Sequence, residues 1–119
     1  MYNLKTVYNM PRNNIDYSKT IMYKIQHVTN EDLIYIGATT NFMKRKCTHK
    51  SQCGLYATST LIGRTILYKT IKDNGGWDNF RMVEIKKFPC KDKRESDTEE
   101  FKLIQEMTGI MNYHKILHR

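Results

Sequence analysis

Two tyrosines, an arginine and a histidine one helical turn apart, and a glutamate in a later acidic run are the residues whose types and spacing could do chemistry together. Tyr23 and Tyr35 are separated by eleven residues, which lets them occupy the two strands of one hairpin and bring two phenolic oxygens near a common point. Arg45 and His49 stand at i and i+4, so on a helix they project from one face as a single cationic wall. Glu100 precedes Leu103 and Ile104 by three and four residues, which places it near a buried helical stripe. Hydrolysis of a phosphodiester needs an activated water, a cation against the charge developing on the phosphate, and support for the leaving oxygen. This set of side chains contains a candidate for each part.

Each residue also has an ordinary reading. A strand tyrosine commonly fills the sheet surface. Arg45 is flanked by Lys44, Lys46 and Lys50, so it fits a solvated basic helix face, and these lysines read best as contacts to a phosphate backbone. Glu95, Asp97, Glu99 and Glu100 crowd one helix, where acidic groups favour the N-terminal end. If the register slips by one, Glu99 takes the place of Glu100.

The elements that would position these residues follow from periodicity and breakers. Residues 1–18 are polar, Asn-rich and interrupted by Pro11, and read as an arm whose Tyr2, Tyr8 and Tyr17 could pack on the domain. Residues 20–28 alternate as a strand, residues 29–32 (TNED) supply turn chemistry, and residues 33–37 (LIYIG) form a second strand. Thr39, Thr40 and Asn41 offer an N-cap to a basic helix that should stop at Gly54. Residues 59–73 place Leu61, Ile62, Thr65, Ile66, Tyr68, Lys69 and Ile71 at helical spacing despite Gly63, and Asn74-Gly75-Gly76 ends that helix. Residues 80–88 alternate as a third strand that Pro89 stops, and residues 91–107 form a charged helix. The expected fold is α+β, in the order β-β-α-α-β-α, with a three-stranded antiparallel sheet covered by helices. The arm spans 1–18 and the domain 19–119.

With 119 residues, the chain has the size of one domain that must both bind and react. Twenty Lys and Arg against 12 Asp and Glu leave a formal charge of +8, which points to a polyanion, nucleic acid before an anionic membrane. No run of about 18 apolar residues and no apolar leader are present, so a soluble intracellular protein is expected. Cys47, Cys53 and Cys90 cannot all pair and contain no C-x-x-C, which argues for reduced thiols and against structural zinc. Trp77 and Phe80 could stack on bases, but a Trp leading into a strand reads best as a core plug.

Tyr23, the run Tyr35-Ile36-Gly37, Arg45, His49, Glu100 and Asn112 together resemble the GIY-YIG nuclease superfamily. The resemblance runs from residue 20 to about 116. The first signature stands as Ile21-Met22-Tyr23, keeping the tyrosine and replacing the leading glycine, while the second is intact. The stretch from Asn74 to Phe80, the segment from Phe88 to Glu95, the E-x-x-L-I pattern from Glu100 to Ile104 and Met111-Asn112 are similar to short stand-alone members common in large DNA viruses and mobile elements. A viral origin would place the protein in the cytoplasm or nucleus of a host cell.

The resemblance implies a divalent-metal-dependent endonuclease acting on DNA, with RNA a weaker expectation. It gives Tyr35 the role of general base or water-positioner with Tyr23 assisting, and an unperturbed phenol, with a pKa of about 10, needs a neighbouring cation such as Arg45 to act so near neutrality. Arg45 would stabilise charge at the phosphate and cannot itself transfer a proton. His49 would help orient Tyr35 or the phosphate. Glu100 would hold one Mg²⁺ or Mn²⁺, since such cations are commonly bound by one or two carboxylates plus phosphate and water. Asn112 would buttress the site, though an asparagine in a turn is an equal reading on residue grounds. Cutting both strands of a duplex would require a homodimer or successive nicks. The rival from another class is a catalytically silent nucleic-acid-binding module of the same fold, and a basic adaptor for an acidic protein or membrane ranks last.

Overall fold

The run Ile21–His27 forms β1, and its Met22, Tyr23 and Ile25 are all buried. Side chains alternate across a strand, so burial of consecutive residues means that both faces of β1 are covered. β2 (Ile34–Thr39) pairs antiparallel with it, setting Tyr23 opposite Gly37 and Ile25 opposite Tyr35. The turn between them is stitched by His27, whose Nδ1 accepts from the backbone N–H groups of Thr29 and Asn30. β3 (Phe80–Lys87) pairs antiparallel with the other side of β1, giving the order β2-β1-β3, with a register shift between Met22 and Tyr23. These features come from a computed structural model that describes residues 15–55, 65–107 and 111.

Among the described residues three helices cover the sheet. α1 (Phe42–Leu55) begins at the expected cap, where Asn41 Oδ1 accepts from the backbone N–H of Lys44 at 3.0 Å. It runs through Gly54, which lies one residue inside the helix instead of ending it. α2 (Thr65–Asp73) is the described part of the helix expected over 59–73, and residues 59–64, including Leu61, Ile62 and Gly63, lie outside the described residues. Its buried stripe is Leu67, Tyr68 and Ile71, whereas Ile66 is 39% exposed. The apolar face is therefore rotated from the one read off the sequence. The reason is that Ile66 and Leu67 are equally apolar neighbours, so contact with the sheet decides which turns inward. α2 ends at Asp73, just before Asn74, and Gly75 and Gly76 adopt φ values of +102° and +84°, where a side chain would be strained.

α3 (Lys93–Glu106) is capped by Asp92, whose Oδ1 accepts from the N–H of Glu95 at 3.0 Å. Glu95 in turn accepts from the N–H of Lys91 at 2.7 Å. Pro89 lies just beyond β3, as a residue without a backbone donor should.

Two cores result. On one face Tyr23, Ile25, Tyr35 and Met82 pack with Leu67, Tyr68 and Ile71 of α2 and with Phe80 and Met111. On the other, Met22, Ile34 and Ile36 pack with Leu103 and Ile104 of α3. Each fully buried Ile or Leu contributes about 1.5–3 kcal/mol by leaving water. The antiparallel three-stranded α+β architecture is thus the one expected. Residues 15–18, assigned to the arm, lead onto the domain through a 3₁₀ turn at Tyr17–Lys19. The Tyr17 carbonyl accepts from the N–H groups of both Thr20 and Cys90, tying this segment to the start of β1 and to the loop after β3. Tyr2 and Tyr8 lie outside the described residues. Among the described residues no helix is long and apolar enough to cross a membrane.

Candidate functional site

Strand alternation places Tyr23 and Tyr35 on the same face of the sheet, diagonal to one another, with ring centroids 6.5 Å apart. The glycine opposite Tyr23 has a steric reason. A Cβ at Gly37 would sit 2.5 Å from both Cζ and Oη of Tyr23, so the tyrosine ring lies across the bare backbone of the opposing strand. The phenol of the first signature and the glycine of the second are therefore one packing unit. Phe42, at the start of α1, meets the Tyr23 ring edge-on and fixes its tilt.

His49 lies in a different place from the one expected. Its side chain is 0% exposed, with Nε2 2.7 Å from the Tyr23 hydroxyl and Nδ1 2.9 Å from the Tyr68 hydroxyl. The indole of Trp77 stacks on the imidazole at 6.5 Å. The i, i+4 spacing does put Arg45 and His49 on neighbouring parts of α1, but they do not form one cationic wall. About 40° separates residues four apart on a helix, and here that turns Arg45 to the rim while His49 points into the core. His49 is therefore hydrogen-bonded to Tyr23, and its ring lies edge-on to Tyr35 with centroids 6.0 Å apart. Trp77, half-buried against the same core, has the plug position expected of it.

A cavity of about 300 Å³ gathers Tyr23, Tyr35, Arg45 and Glu100 on one wall set, with Thr20, Thr39, Ser96 and Asp97 among its other polar lining. The four come from four elements: β1, β2, α1 and α3. Glu100 is 9% exposed, and its helix turns it toward this space while Leu103 and Ile104 anchor the next turn in the core. Asp97 lines the cavity but is engaged by Lys93, whose Nζ donates to Oδ2 at 2.7 Å, and this hydrogen bond raises the Lys93 pKa. Glu99 faces elsewhere, its Oε2 2.5 Å from Lys86 Nζ on β3. The one-residue choice between Glu99 and Glu100 is thus a choice between a strand ion pair and the cavity.

Beyond Arg45 the cavity adjoins a second, of about 560 Å³, lined by Lys19, Lys44, Asn41 and Thr48 and sharing Ile15, Thr39, Thr40 and Arg45 with the first. Lys44 lies beside the site. Lys50, about 120° further round the helix, lines a separate groove with Trp77 and Lys72, so the basic residues of α1 do not form a single strip. Lys46 is half-buried. Asn112 lies outside the described residues.

Three participants escaped the sequence reading. Tyr68 was assigned only to a helical stripe, and its hydroxyl contact with His49 pairs residues 19 positions apart that no local pattern connects. Tyr17 falls in the expected arm and Lys19 is the first residue of the expected domain, with no role read for it, yet each lines one of the two cavities. Among the described residues no group of three or more His, Cys, Asp and Glu gathers as a ligand set. The donors at hand are a single well-placed carboxylate, Glu100, with hydroxyls nearby. Such a set suits a hard divalent cation that keeps most of its waters and takes phosphate oxygens, and is unlike the N/S cage of a structural zinc. Cys47, Cys53 and Cys90 are all free.

A family model described as the GIY-YIG catalytic domain matches residues 19–113. No curated protein and no solved structure gives a match.

Proposed function

The chain belongs to the GIY-YIG nuclease family, and from that premise we propose that it is a divalent-metal-dependent endonuclease that hydrolyses DNA phosphodiesters with a water held at Tyr35. The observation that supports this reading best is the shared cavity of Tyr23, Tyr35, Arg45 and Glu100. Four side chains from separate elements converge on one water-accessible space of a size suited to a phosphate and its immediate neighbours.

In this reading Tyr35 receives a hydrogen bond from the attacking water and directs its lone pair at phosphorus. Arg45, whose guanidinium stays charged under any working condition, donates to the non-bridging oxygens and offsets the charge that grows on them. Tyr23, held by His49, presents a second phenol to the same space. Glu100 would hold the cation, Mg²⁺ or Mn²⁺, which when bound supplies Lewis-acid stabilisation of the phosphate and of the leaving oxygen. The adjoining groove of Lys19 and Lys44 carries the continuing strand, its lysines meeting phosphates without reading bases. With one Tyr35, Arg45 and Glu100 per chain, a duplex is cut by successive nicks or by a homodimer. Free cysteines fit a reducing, intracellular setting.

The test is a time course on supercoiled plasmid and labelled single-stranded and branched DNA with Mg²⁺, Mn²⁺ or EDTA. Wild type should nick in metal alone, while Tyr35→Phe and Glu100→Ala should lower the rate at least a hundredfold and still bind DNA. Glu99→Ala should cut normally. The replaced glycine of the first signature, Ile21, favours the silent binding module as the second reading. Binding without cleavage by wild type in every metal would establish that reading and end the first.

A further inference from the structure

Glu100 is not the only buried polar group that α3 presents to the cavity. One turn earlier stands Ser96, 6% exposed and part of the same lining, and residues four apart on a helix are neighbours on one face. Among the described residues the Ser96 hydroxyl makes no hydrogen bond with the protein. Comparable hydroxyls are committed to the backbone. Thr98, on the same helix, donates to the carbonyl of Arg94 at 2.9 Å, as Thr48 does to Lys44 and Thr70 to Ile66. Thr20 and Thr39, the buried threonines of the cavity, donate to the carbonyls of Tyr17 at 2.7 Å and Asn41 at 3.1 Å. A buried hydroxyl without a partner carries the desolvation cost of that group, and a ligand entering the cavity removes that cost.

We propose that Ser96 is a positioning residue of the cleavage site: its hydroxyl oxygen accepts a hydrogen bond from a water of the divalent cation held by Glu100. The choice of a cation's water over a phosphate oxygen follows from the charge around the hydroxyl. α3 lines the cavity with Lys93, Ser96, Asp97 and Glu100. Lys93 and Asp97 neutralise one another across 2.7 Å, so the Glu100 carboxylate sets the sign of this wall, which repels phosphate and attracts a hydrated cation. The positive charge that suits phosphate belongs to Arg45, on α1. A hard cation bound by one carboxylate keeps several waters, and each such water is a donor that the lone pairs of a serine oxygen can receive. Alanine would occupy the same helical position with the higher helix propensity and no polar atom to desolvate, so packing alone gives no reason for the oxygen.

This inference rests on the metal-dependent reading for the kind of ion, and its test reads Mn²⁺ binding apart from turnover. Free Mn²⁺ is followed by electron paramagnetic resonance as the ion is titrated into wild type, Ser96→Ala and Glu100→Ala without DNA. Glu100→Ala should lose the bound ion, and Ser96→Ala should bind it about tenfold more weakly, the lower end of the loss typical when an outer partner of a metal is removed. Urea unfolding in EDTA separates positioning from packing, since Ser96→Ala should match or exceed wild type in stability. In cleavage assays the Mn²⁺ concentration giving half the maximal rate should rise by the same factor, with KM for a labelled oligonucleotide unchanged at saturating Mn²⁺. Equal Mn²⁺ affinity in wild type and Ser96→Ala, including no binding by either, would overturn the proposal. So would a loss of stability in Ser96→Ala, which makes the hydroxyl structural, or a raised KM with unchanged Mn²⁺ affinity, which moves it to the phosphate. A wild type that binds Mn²⁺ through Glu100 and Ser96 but cuts nothing ends the nuclease reading and leaves this site standing.

Discussion

The two faces of the sheet solve different problems with the same three strands. One face is an apolar seam in which Met22, Ile34 and Ile36 meet Leu103 and Ile104. The other embeds polar rings in its core, running from Tyr23 through His49 to Tyr68. Apolar packing is non-directional and tolerates exchange of one hydrocarbon for another. A buried hydrogen-bonded chain is directional, and leaving one member unpaired costs the full desolvation of that group. The cavity draws on both: the tyrosines come from the polar face, and Glu100 comes from the helix that the apolar face anchors. The difference teaches that one face specifies geometry while the other mainly supplies adhesion.

Four changes test that contrast, from the largest effect to the smallest. Gly37→Ala would drive a methyl group into the Tyr23 ring. It should slow cleavage about a hundredfold, as a misplacement of about 1 Å can, and cost about 1–3 kcal/mol in urea unfolding. Retained activity would show that the Tyr23 position is not critical. Ile36→Ala, on the wholly buried apolar face, should cost about 2–5 kcal/mol yet leave the rate per folded molecule unchanged. A rate loss beyond the unfolded fraction would break the division of labour between the faces.

Lys44→Ala should weaken oligonucleotide binding uniformly across sequences and reduce the salt slope by about one, because one phosphate contact is lost. Lys50→Ala, in the separate groove, serves as the internal comparison, and equal effects from the two would mean that the strand path crosses both. The smallest effect concerns Cys53, partly buried against the polar core, whose thiol is pushed up to about 11 from the ordinary 9.0 by burial. At pH 8.5 it should alkylate more slowly than exposed Cys47. The unfolded chain loses this proton first, so the contribution of Cys53 to stability is present below pH 9.0 and disappears as pH rises toward about 11. Equal alkylation rates in the folded protein would place Cys53 in solvent.

Much of this architecture was legible because it rests on local rules. The hairpin follows from alternation about a turn, the start of α1 from Asn41, and the register of α3 from the spacing of Glu100 to Leu103 and Ile104. The errors fall where two local readings were equal. Ile66 and Leu67 are both apolar, and only contact with the sheet made Leu67 the inward residue. Lys44 and Lys50 read as one basic run, and the helix separated them into two grooves. The i, i+4 relation of Arg45 and His49 was right as a spacing and insufficient as a direction, since the rim and the core lie within one turn of α1.

By itself the amino-acid sequence determined the order of elements, the residue types available for chemistry and the charge that points to a polyanion, because these depend on spacing along the chain and on side-chain identity. Tertiary structure alone decided that Tyr23 lies across Gly37, that His49 is a buried bridge and not a surface cation, and that Tyr68 stands behind it. Each of these is a contact between elements distant in sequence or a choice of face within one turn. Packing density, desolvation and hydrogen-bond direction settle such choices only when the layers come together.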